Sequence, residues 1–330
     1  MKTIASFSLL LLTGVVANAW AKDTPADTAQ IKRGEYLAIA ADCAACHTAP
    51  GGKPFAGGLP MQIPMLGTIY SSNITPDEKT GIGKWTYEEF ERAVRKGVDD
   101  DGNNLYPAMP YPSYAKINDA DMRDLYAYFR YGVPAVQNDP PPSTIRWPLN
   151  VRWPLKLWNL VFLDTERFKP IPENSVEWNR GAYLVQGLGH CGTCHTPRGI
   201  GLQEKALDQR GGAYLSGAQL GGWFASNLTS NPTTGIGKWS AQDIVDFLKT
   251  GANSHATAFG PMTEVIKRGR YLAQAGDCVA CHTSPAKGAA PFAGGLKMAV
   301  PMLGSIFATN ITPDPETGIG RYTEQDFARA

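Results

Sequence analysis

The chain has 330 residues, and its 31 Lys and Arg residues nearly balance its 30 Asp and Glu residues, so the formal net charge is +1. This balance argues against a nucleic-acid partner, which would need a basic surface. The 35 glycines and 25 prolines predict many loops, while a hydrophobic content of 43% supports packed domains and argues against global disorder.

Residues 1–21 are predicted to be a secretory signal peptide. Lys2 supplies a positive charge, and residues 4–16 form an apolar run that is too short to span a bilayer comfortably. Small residues at 17, 19 and 21 fit a cleavage site after Ala21. The alternative is an uncleaved amphipathic anchor. We therefore expect the mature chain to work outside the cytoplasm, where free thiols tend to oxidise.

All six cysteines fall in three copies of Cys-x-x-Cys-His, the attachment motif of c-type haem. Two thiols at this spacing can bond both vinyl groups on one edge of the porphyrin, and the next imidazole then lies beneath the iron as its proximal ligand. The motif therefore predicts three covalently bound haem c groups. The residues are Cys43, Cys46 and His47; Cys191, Cys194 and His195; and Cys278, Cys281 and His282.

Other uses of these cysteines fit less well. A disulfide framework is unusual for a chain this long with so few cysteines. A thiol oxidoreductase would not need histidine in all three copies, and zinc needs four ligands where each cluster offers three.

Each motif lies in an internal repeat. An Arg-Gly-x-Tyr-Leu segment precedes it, and an Asn-x-Thr triplet, a Thr-Gly-Ile-Gly segment and an aromatic residue follow it. The triplet matches a glycosylation sequon, but its place in the repeat favours a structural turn. The aromatic residues are expected either to hydrogen-bond haem propionates or to pack in the core. The segments begin at Arg33, Arg180 and Arg268, at Asn73, Asn227 and Asn310, and at Thr80, Thr234 and Thr317, and the aromatic residues are Trp85, Trp239 and Tyr322.

A helix is predicted after each aromatic residue. Thr86 with Glu89 forms a capping box and Gly97 can end that helix, while Ser240 opens its counterpart, which closes near Gly251. The first module has a final amphipathic helix that begins after Asn118 and includes Met122 as a core residue. This order of elements predicts a small all-helical haem domain.

The sixth iron ligands are predicted from position. Met109 and Met262 each follow the capped helix through a polar loop, with an aromatic residue three positions earlier and a proline between. His255 is an alternative to Met262. His190, just before Cys191, is expected to contact solvent or a propionate rather than iron.

The third module is incomplete in this sequence, because the position equivalent to Met109 lies beyond residue 330. Met298 and Met302 are substitute ligands, although they align with Met61 and Met65 of the first module, where Met109 already serves. We expect the third haem to be five-coordinate or weakly ligated, and the chain to be a fragment or a rearranged reading frame. An open haem here is the basis of an alternative function, a multihaem enzyme of peroxidase type.

Residues 134–175 form a linker rich in proline and tryptophan, in which residues 154–163 are predicted to form a short amphipathic helix. Tryptophan with arginine suits a membrane interface or a docking face for a partner subunit. The alternative is a segment that packs across two haem domains.

These features resemble the triheme cytochrome c subunit of bacterial membrane-bound dehydrogenases. The resemblance covers about residues 28–265 and includes the Arg-Gly-x-Tyr-Leu segments, the haem motifs and the segment Tyr106-Pro107-Ala108-Met109. It implies an all-α fold of tandem class I cytochrome c-like domains with the third truncated. The implied boundaries are 28–133, a linker over 134–175, 176–265 without the final helix, and a partial domain over 266–330.

The same resemblance implies a function. Cys43, Cys46, His47 and Met109 would form one haem site, and Cys191, Cys194, His195 and Met262 a second. The chain would carry electrons from a flavin- or quinone-bearing catalytic subunit that oxidises alcohol, gluconate or related polyols to ubiquinone or a terminal oxidase, without substrate chemistry of its own. Its implied place is the periplasm, at the outer face of the inner membrane. The third module departs from the family, since it lacks a methionine and the C-terminal membrane-attaching helix.

Overall fold

The computed structural model describes residues 26–63, 66–220, 222–263 and 265–266, two later strands, and positions 314, 316, 317 and 321. The predicted signal peptide and most of the third module lie outside these residues. The helices are α1 (Thr28–Ala40), α2 (Cys43–Cys46), α3 (Tyr87–Lys96), α4 (Tyr111–Tyr114), α5 (Asp119–Ala127), α6 (Trp153–Phe162), α7 (Val176–Tyr183), α8 (Cys191–His195) and α9 (Ala241–Thr250). Short π-helical turns extend α5 over Tyr128–Gly132 and α7 over Leu184–Leu188. Among the described residues, no helix is long and apolar enough to cross a membrane.

The core of the first module forms where α1 crosses α5. A side chain at Gly34 could not fit, because a Cβ there would lie 1.9 Å from the carbonyl oxygen of Asp124. Its neighbour Arg33 donates from Nε to Asp124 Oδ2 at 2.8 Å. The Arg33-Gly34 pair of the first repeat therefore joins the first helix of this module, α1, to its last helix, α5. The buried residues of this core include Leu37, Phe90, Met122, Leu125 and Phe129.

Local capping signals are confirmed. Thr86 and Glu89 form a reciprocal capping box at the start of α3, and Gly97 ends that helix at φ 61°. Ser240 and Asp243 do the same for α9, which ends at Gly251 with φ 84°. These conformations depend on residues three or four positions apart, so sequence alone can specify them.

The Asn-x-Thr triplets at Asn73 and Asn227 are structural turns, as predicted, and the triplet at Asn310 lies outside the described residues. Asn73 Oδ1 accepts from the backbone N–H of Thr75 at 2.9 Å, and its Nδ2 donates to Thr80 Oγ1 at 3.1 Å. Asn227 repeats both contacts with Thr229 and Thr234, at 2.8 and 3.1 Å. The turn thus links the triplet to the Thr-Gly-Ile-Gly segment.

The prediction of an all-α fold is wrong in one respect, because small antiparallel sheets accompany the helices. Strands β1 (Pro60–Ile63) and β2 (Gly67–Tyr70) form a hairpin that β3 (Thr144–Ile145) extends, and β4 (Ala218–Leu220) pairs with β5 (Trp223–Ala225). Strands β6 (Lys297–Val300) and β7 (Gly304–Phe307) pair as β1 and β2 do. Met61 is opposite Ile69 in the first hairpin, and Met298 is opposite Ile306 in the last one.

These strands have two to four residues each. Segments of this length are too short for an alternating hydrophobic pattern to be recognised in the sequence.

The second module has α7, α8, α9 and the β4–β5 hairpin but, within residues 176–263, no counterpart of α5. The consequence is visible on α9. Phe90 on α3 is 5% exposed, whereas Ile244, the equivalent residue on α9, is 36% exposed. The predicted absence of a final helix in this module therefore leaves its capped helix without the packing that α3 receives.

Candidate haem sites

The first Cys-x-x-Cys-His motif follows a sharp turn at the end of α1. Asp42 adopts a left-handed conformation with φ 59°, and α2 then carries Cys43 and Cys46. Both thiols are unpaired. Burial raises the pKa of Cys43 to about 12 and also raises the pKa of Cys46. The two cysteines are therefore neutral thiols one helical turn apart, as thioether attachment to haem requires.

His47 has one ring nitrogen left for a metal. Its Nδ1 lies 2.7 Å from the carbonyl oxygen of Ser72. A carbonyl can only accept, so Nδ1 carries the proton and Nε2 keeps its lone pair. Burial lowers the pKa of His47, which favours the neutral imidazole that binds iron.

The second motif repeats this arrangement. His190 adopts the left-handed conformation in place of Asp42, and α8 carries Cys191 and Cys194, which are also unpaired. Burial raises the pKa of Cys191 to about 11. His195 Nδ1 lies 2.7 Å from the carbonyl oxygen of Ser226.

The carbonyls of Ser72 and Ser226 are functional groups that sequence reasoning missed. Each serine directly precedes the Asn-x-Thr triplet, at Asn73 and Asn227. The repeated position is the signal that could have found them. The structural turn therefore also holds the proximal histidine in one tautomer.

Met109 lies in the loop between α3 and α4 and packs, partly buried, against the core of the first module. Its backbone is fixed on both sides, because Met109 N–H donates to the carbonyl of Tyr106 at 3.3 Å and the Met109 carbonyl accepts from Tyr111 at 2.8 Å. Met122, by contrast, is fully buried on α5, which confirms it as a core residue.

Met262 is half-buried at the end of the corresponding loop of the second module, where a short helical turn begins. The rival ligand His255 is held elsewhere. Its ring stacks on Trp239 with centroids 5.4 Å apart, and its Nε2 lies 3.4 Å from Asp243 Oδ2. The aromatic residue of the second repeat therefore packs against a histidine, while Trp85 packs against the core of the first module.

The two described motifs lie against each other. The Tyr114 ring meets the His190 ring edge to face with centroids 5.7 Å apart, and the Tyr114 hydroxyl donates to the carbonyl of Ala41 at 2.5 Å. The Cys194 thiol is near enough to raise the pKa of Cys46, although burial is the larger cause. His190, expected to contact solvent or a propionate rather than iron, is half-buried at this contact between modules.

The loop that carries Met109 also reaches the second motif. Pro107 and Pro110, on either side of Met109, share a small cleft with Thr193, which lies between Cys191 and Cys194. The loop that carries the predicted distal ligand of the first site therefore lies beside the attachment loop of the second site.

At both described sites the donor set fits haem c, with two free thiols, one imidazole with a free Nε2 and a methionine in the expected loop. In the described part of the chain, no three His, Cys, Asp or Glu side chains cluster as a metal site. Cys278, Cys281, His282, Met302 and Tyr322 lie outside the described residues, and of Met298 only the backbone, in β6, is described.

The pattern that defines the cytochrome c family matches residues 31–132. A diheme cytochrome c-type protein of Cereibacter sphaeroides is 32% identical over 282 residues, which cover 81% of this chain and 92% of that protein. The chain therefore belongs to the cytochrome c family, whose members bind haem c covalently.

More similar relatives are subunits of dehydrogenases. The gluconate 2-dehydrogenase cytochrome c subunit of Pantoea cypripedii is 53% identical over 263 residues, covering 78% of this chain and 59% of the relative. The cytochrome c subunit of the quinone alcohol dehydrogenase of Gluconobacter oxydans is 49% identical over 272 residues, covering 80% and 55%. The chain thus spans little more than half the length of these two relatives.

Proposed function

We propose that this chain is an electron-transfer subunit that accepts electrons from the catalytic subunit of a dehydrogenase and passes them to the respiratory chain. The relatives named for gluconate and alcohol dehydrogenases support a donor that oxidises alcohols, gluconate or related polyols and sugar acids. The donor would carry a flavin or a quinone cofactor. The acceptor would be ubiquinone or a terminal oxidase, and the complex would lie in the periplasm at the outer face of the inner membrane.

The observation that carries this proposal is the contact between the two haem-binding motifs. A relay needs redox centres held close together, and here Tyr114 bridges the two attachment motifs, because it donates to Ala41 just before the first motif and packs against His190 just before the second. An enzyme with one open catalytic haem would not need two motifs packed against each other.

Haem c supplies reversible one-electron oxidation and reduction at iron when it is bound. The residues of the chain hold that group and set its surroundings. Cys43, Cys46, Cys191 and Cys194 would anchor it, and His47 and His195 would ligate through Nε2. Met109 and Met262 would supply the remaining iron ligands. Methionine as a ligand favours a higher reduction potential, which suits an electron acceptor.

The proposal extends to three haem c groups, the third attached through Cys278 and Cys281 with His282 as its proximal ligand and no assigned sixth ligand. The domain boundaries remain as the sequence predicts them, with tandem cytochrome domains over 28–133 and 176–265 and a partial one over 266–330.

The test uses the full chain produced with its haem-attachment machinery, together with double variants of each motif. Mass spectrometry of denatured protein should show three added haem masses, and Cys43→Ser with Cys46→Ser should remove one. Rapid mixing with a reduced dehydrogenase catalytic subunit should reduce the haem of the native chain, and the matched pair Cys191→Ser with Cys194→Ser should abolish part of that reduction. Bare polypeptide mass would end the proposal. Peroxide turnover by the isolated chain, with no reduction by the donor, would replace it with the peroxidase-type alternative.

A further inference from the structure

Helix α6 is apolar on both faces, although one of them is exposed. Its inner face contacts both modules, since Trp158 Nε1 donates to the carbonyl of Gly201 at 2.6 Å and Asn159 Oδ1 accepts from the Tyr111 hydroxyl at 2.7 Å. The linker is therefore a segment that packs across two modules, which was one of the two interpretations of its sequence.

The opposite face of this helix has no partner among the described residues. We call it the α6 outer face, and it consists of Trp153, Leu157, Leu160 and Val161, which follow the i, i+4, i+7, i+8 spacing of one helix side. All four are classed as exposed, with Leu160 at 81%. Trp147 stands exposed just before the helix. A group of exposed apolar side chains on one side of a helix normally marks an interaction site.

The charged side chains of this segment of the chain are all positive. Between Asp139 and Asp164 the sequence contains no acidic residue, and its charged side chains are Arg146, Arg152 and Lys156, each exposed. A protein–protein interface usually has a polar rim that carries both signs. A segment in which tryptophan and leucine alternate with lysine and arginine, and with no acidic residue, is typical of helices that lie in the headgroup region of an anionic bilayer.

The geometry suits a surface contact. A ten-residue helix is about 15 Å long, and hydrogen bonds from Trp158 and Asn159 fix its inner side to the two modules, so its outer side can lie against a surface. Beside it, Ile200 and Leu202 flank the Gly201 carbonyl that accepts from Trp158, and both are exposed.

Arg152 lies over the Tyr106 ring of the first module, 5.5 Å from its centroid. We infer that the α6 outer face, with Arg146 and Lys156, is a docking surface for an anionic phospholipid membrane. This inference rests on the proposed function for the membrane location, and it adds the surface that makes the contact. It places the haem-binding modules on the water side, with the linker between them and the lipid.

The test is sedimentation of the haem-loaded full chain with vesicles of phosphatidylcholine alone or mixed with phosphatidylglycerol. We expect binding to the mixed vesicles, weaker binding to the neutral ones, and loss of binding with added salt because surface attraction is screened. Leu160→Glu should weaken binding about tenfold, since it removes one leucine from the lipid contact. Lys156→Glu should weaken it about fivefold or more.

The matched control is Val176→Glu at the start of α7, where the side chain is 80% exposed, nearly the same as Leu160. Its binding should stay within about twofold of the native chain. Unchanged haem absorption and far-ultraviolet circular dichroism would show that each variant folds. Equal binding by all variants, or no vesicle binding at all, would overturn the inference. If the native chain binds no vesicles and Leu160→Glu loses binding to the catalytic subunit, the α6 outer face would be assigned to a protein partner instead. No donor is present in the vesicle assay, so failure of the electron relay leaves its result unaffected.

Discussion

Replacement of Arg95 by methionine is the sharpest test of how the first module holds its ligand loop. The side chain of Arg95 is 1% exposed, and Nη1 contacts Glu91 at 2.5 Å and Asp119 at 2.7 Å. Nη2 donates to the carbonyls of Ile117 and Asn118 at 2.8 and 2.9 Å. One buried guanidinium thus joins α3 to the start of α5 across the segment that contains Met109.

The cost of Arg95→Met can be estimated from these contacts. Removing one partner of a buried charge network costs about 3–5 kcal/mol. Arg167 also contacts Glu91 and Asp119, at 3.0 and 2.9 Å, and both carboxylates reach water. They would therefore keep a partner, while the two carbonyls would lose their donor. We expect a loss of about 3 kcal/mol, at the lower end of that range.

The assay is urea unfolding of the haem-loaded chain, followed by circular dichroism and haem absorption. The control is Lys249→Met, because Lys249 occupies the equivalent position on α9 and is exposed. That substitution should change the free energy of unfolding by less than about 0.5 kcal/mol. A loss below about 1 kcal/mol for Arg95→Met, or equal losses for the two variants, would refute the assignment of Arg95 as the buried anchor of this loop.

Three further outcomes are expected. The reduced Met109→Ala variant should bind one more equivalent of carbon monoxide than the native chain, because the iron loses its sixth ligand. Met122→Ala should leave carbon monoxide binding unchanged, while the cavity it creates in the core should lower the free energy of unfolding by about 2–5 kcal/mol. Equal carbon monoxide binding by the two variants would contradict the assignment of Met109 as a ligand. Tyr114→Phe should cost about 1–2 kcal/mol in urea unfolding, because the carbonyl of Ala41 loses a buried donor; no change would mean that this hydrogen bond does not stabilise the first module. Hydrogen bonds from Arg167 and Arg95 lower the pKa of Asp119. The free energy that the charged Asp119 contributes to folding is therefore fully present above the pKa of an unfolded carboxyl, and it is lost as the pH falls through the lower pKa of the folded state. In an acid titration, the free energy of unfolding of Asp119→Asn should fall less steeply with pH than that of the native chain.

Several features were predictable because they depend on near neighbours in the chain. The capping boxes at Thr86 and Ser240 involve residues three positions apart, and Gly97 and Gly251 end their helices through the conformation of a single residue. The spacing within Cys-x-x-Cys-His likewise specifies the haem chemistry locally. The triplet at Asn73 was predictable as a turn, because its side chain bonds to the backbone two residues later.

Other features depend on distant parts of the chain, and the local pattern carries little information about them. His47 obtains its tautomer from the carbonyl of Ser72, 25 residues away. The contact of Tyr114 with His190 joins residues of different modules. The pattern of residues close together in the chain cannot predict which surfaces of two folded modules will meet, because the packing between the modules depends on the shapes of both.

Helix α6 shows the division most clearly. Its existence followed from the sequence, which predicted a short amphipathic helix and left open whether it crosses two modules or faces a membrane or partner. The tertiary structure decided that Trp158 and Asn159 point inward to the modules and that Leu157 and Leu160 point outward. Because an apolar residue can be buried on either side of an apolar helix, only the position of the neighbouring modules could select which side remained exposed.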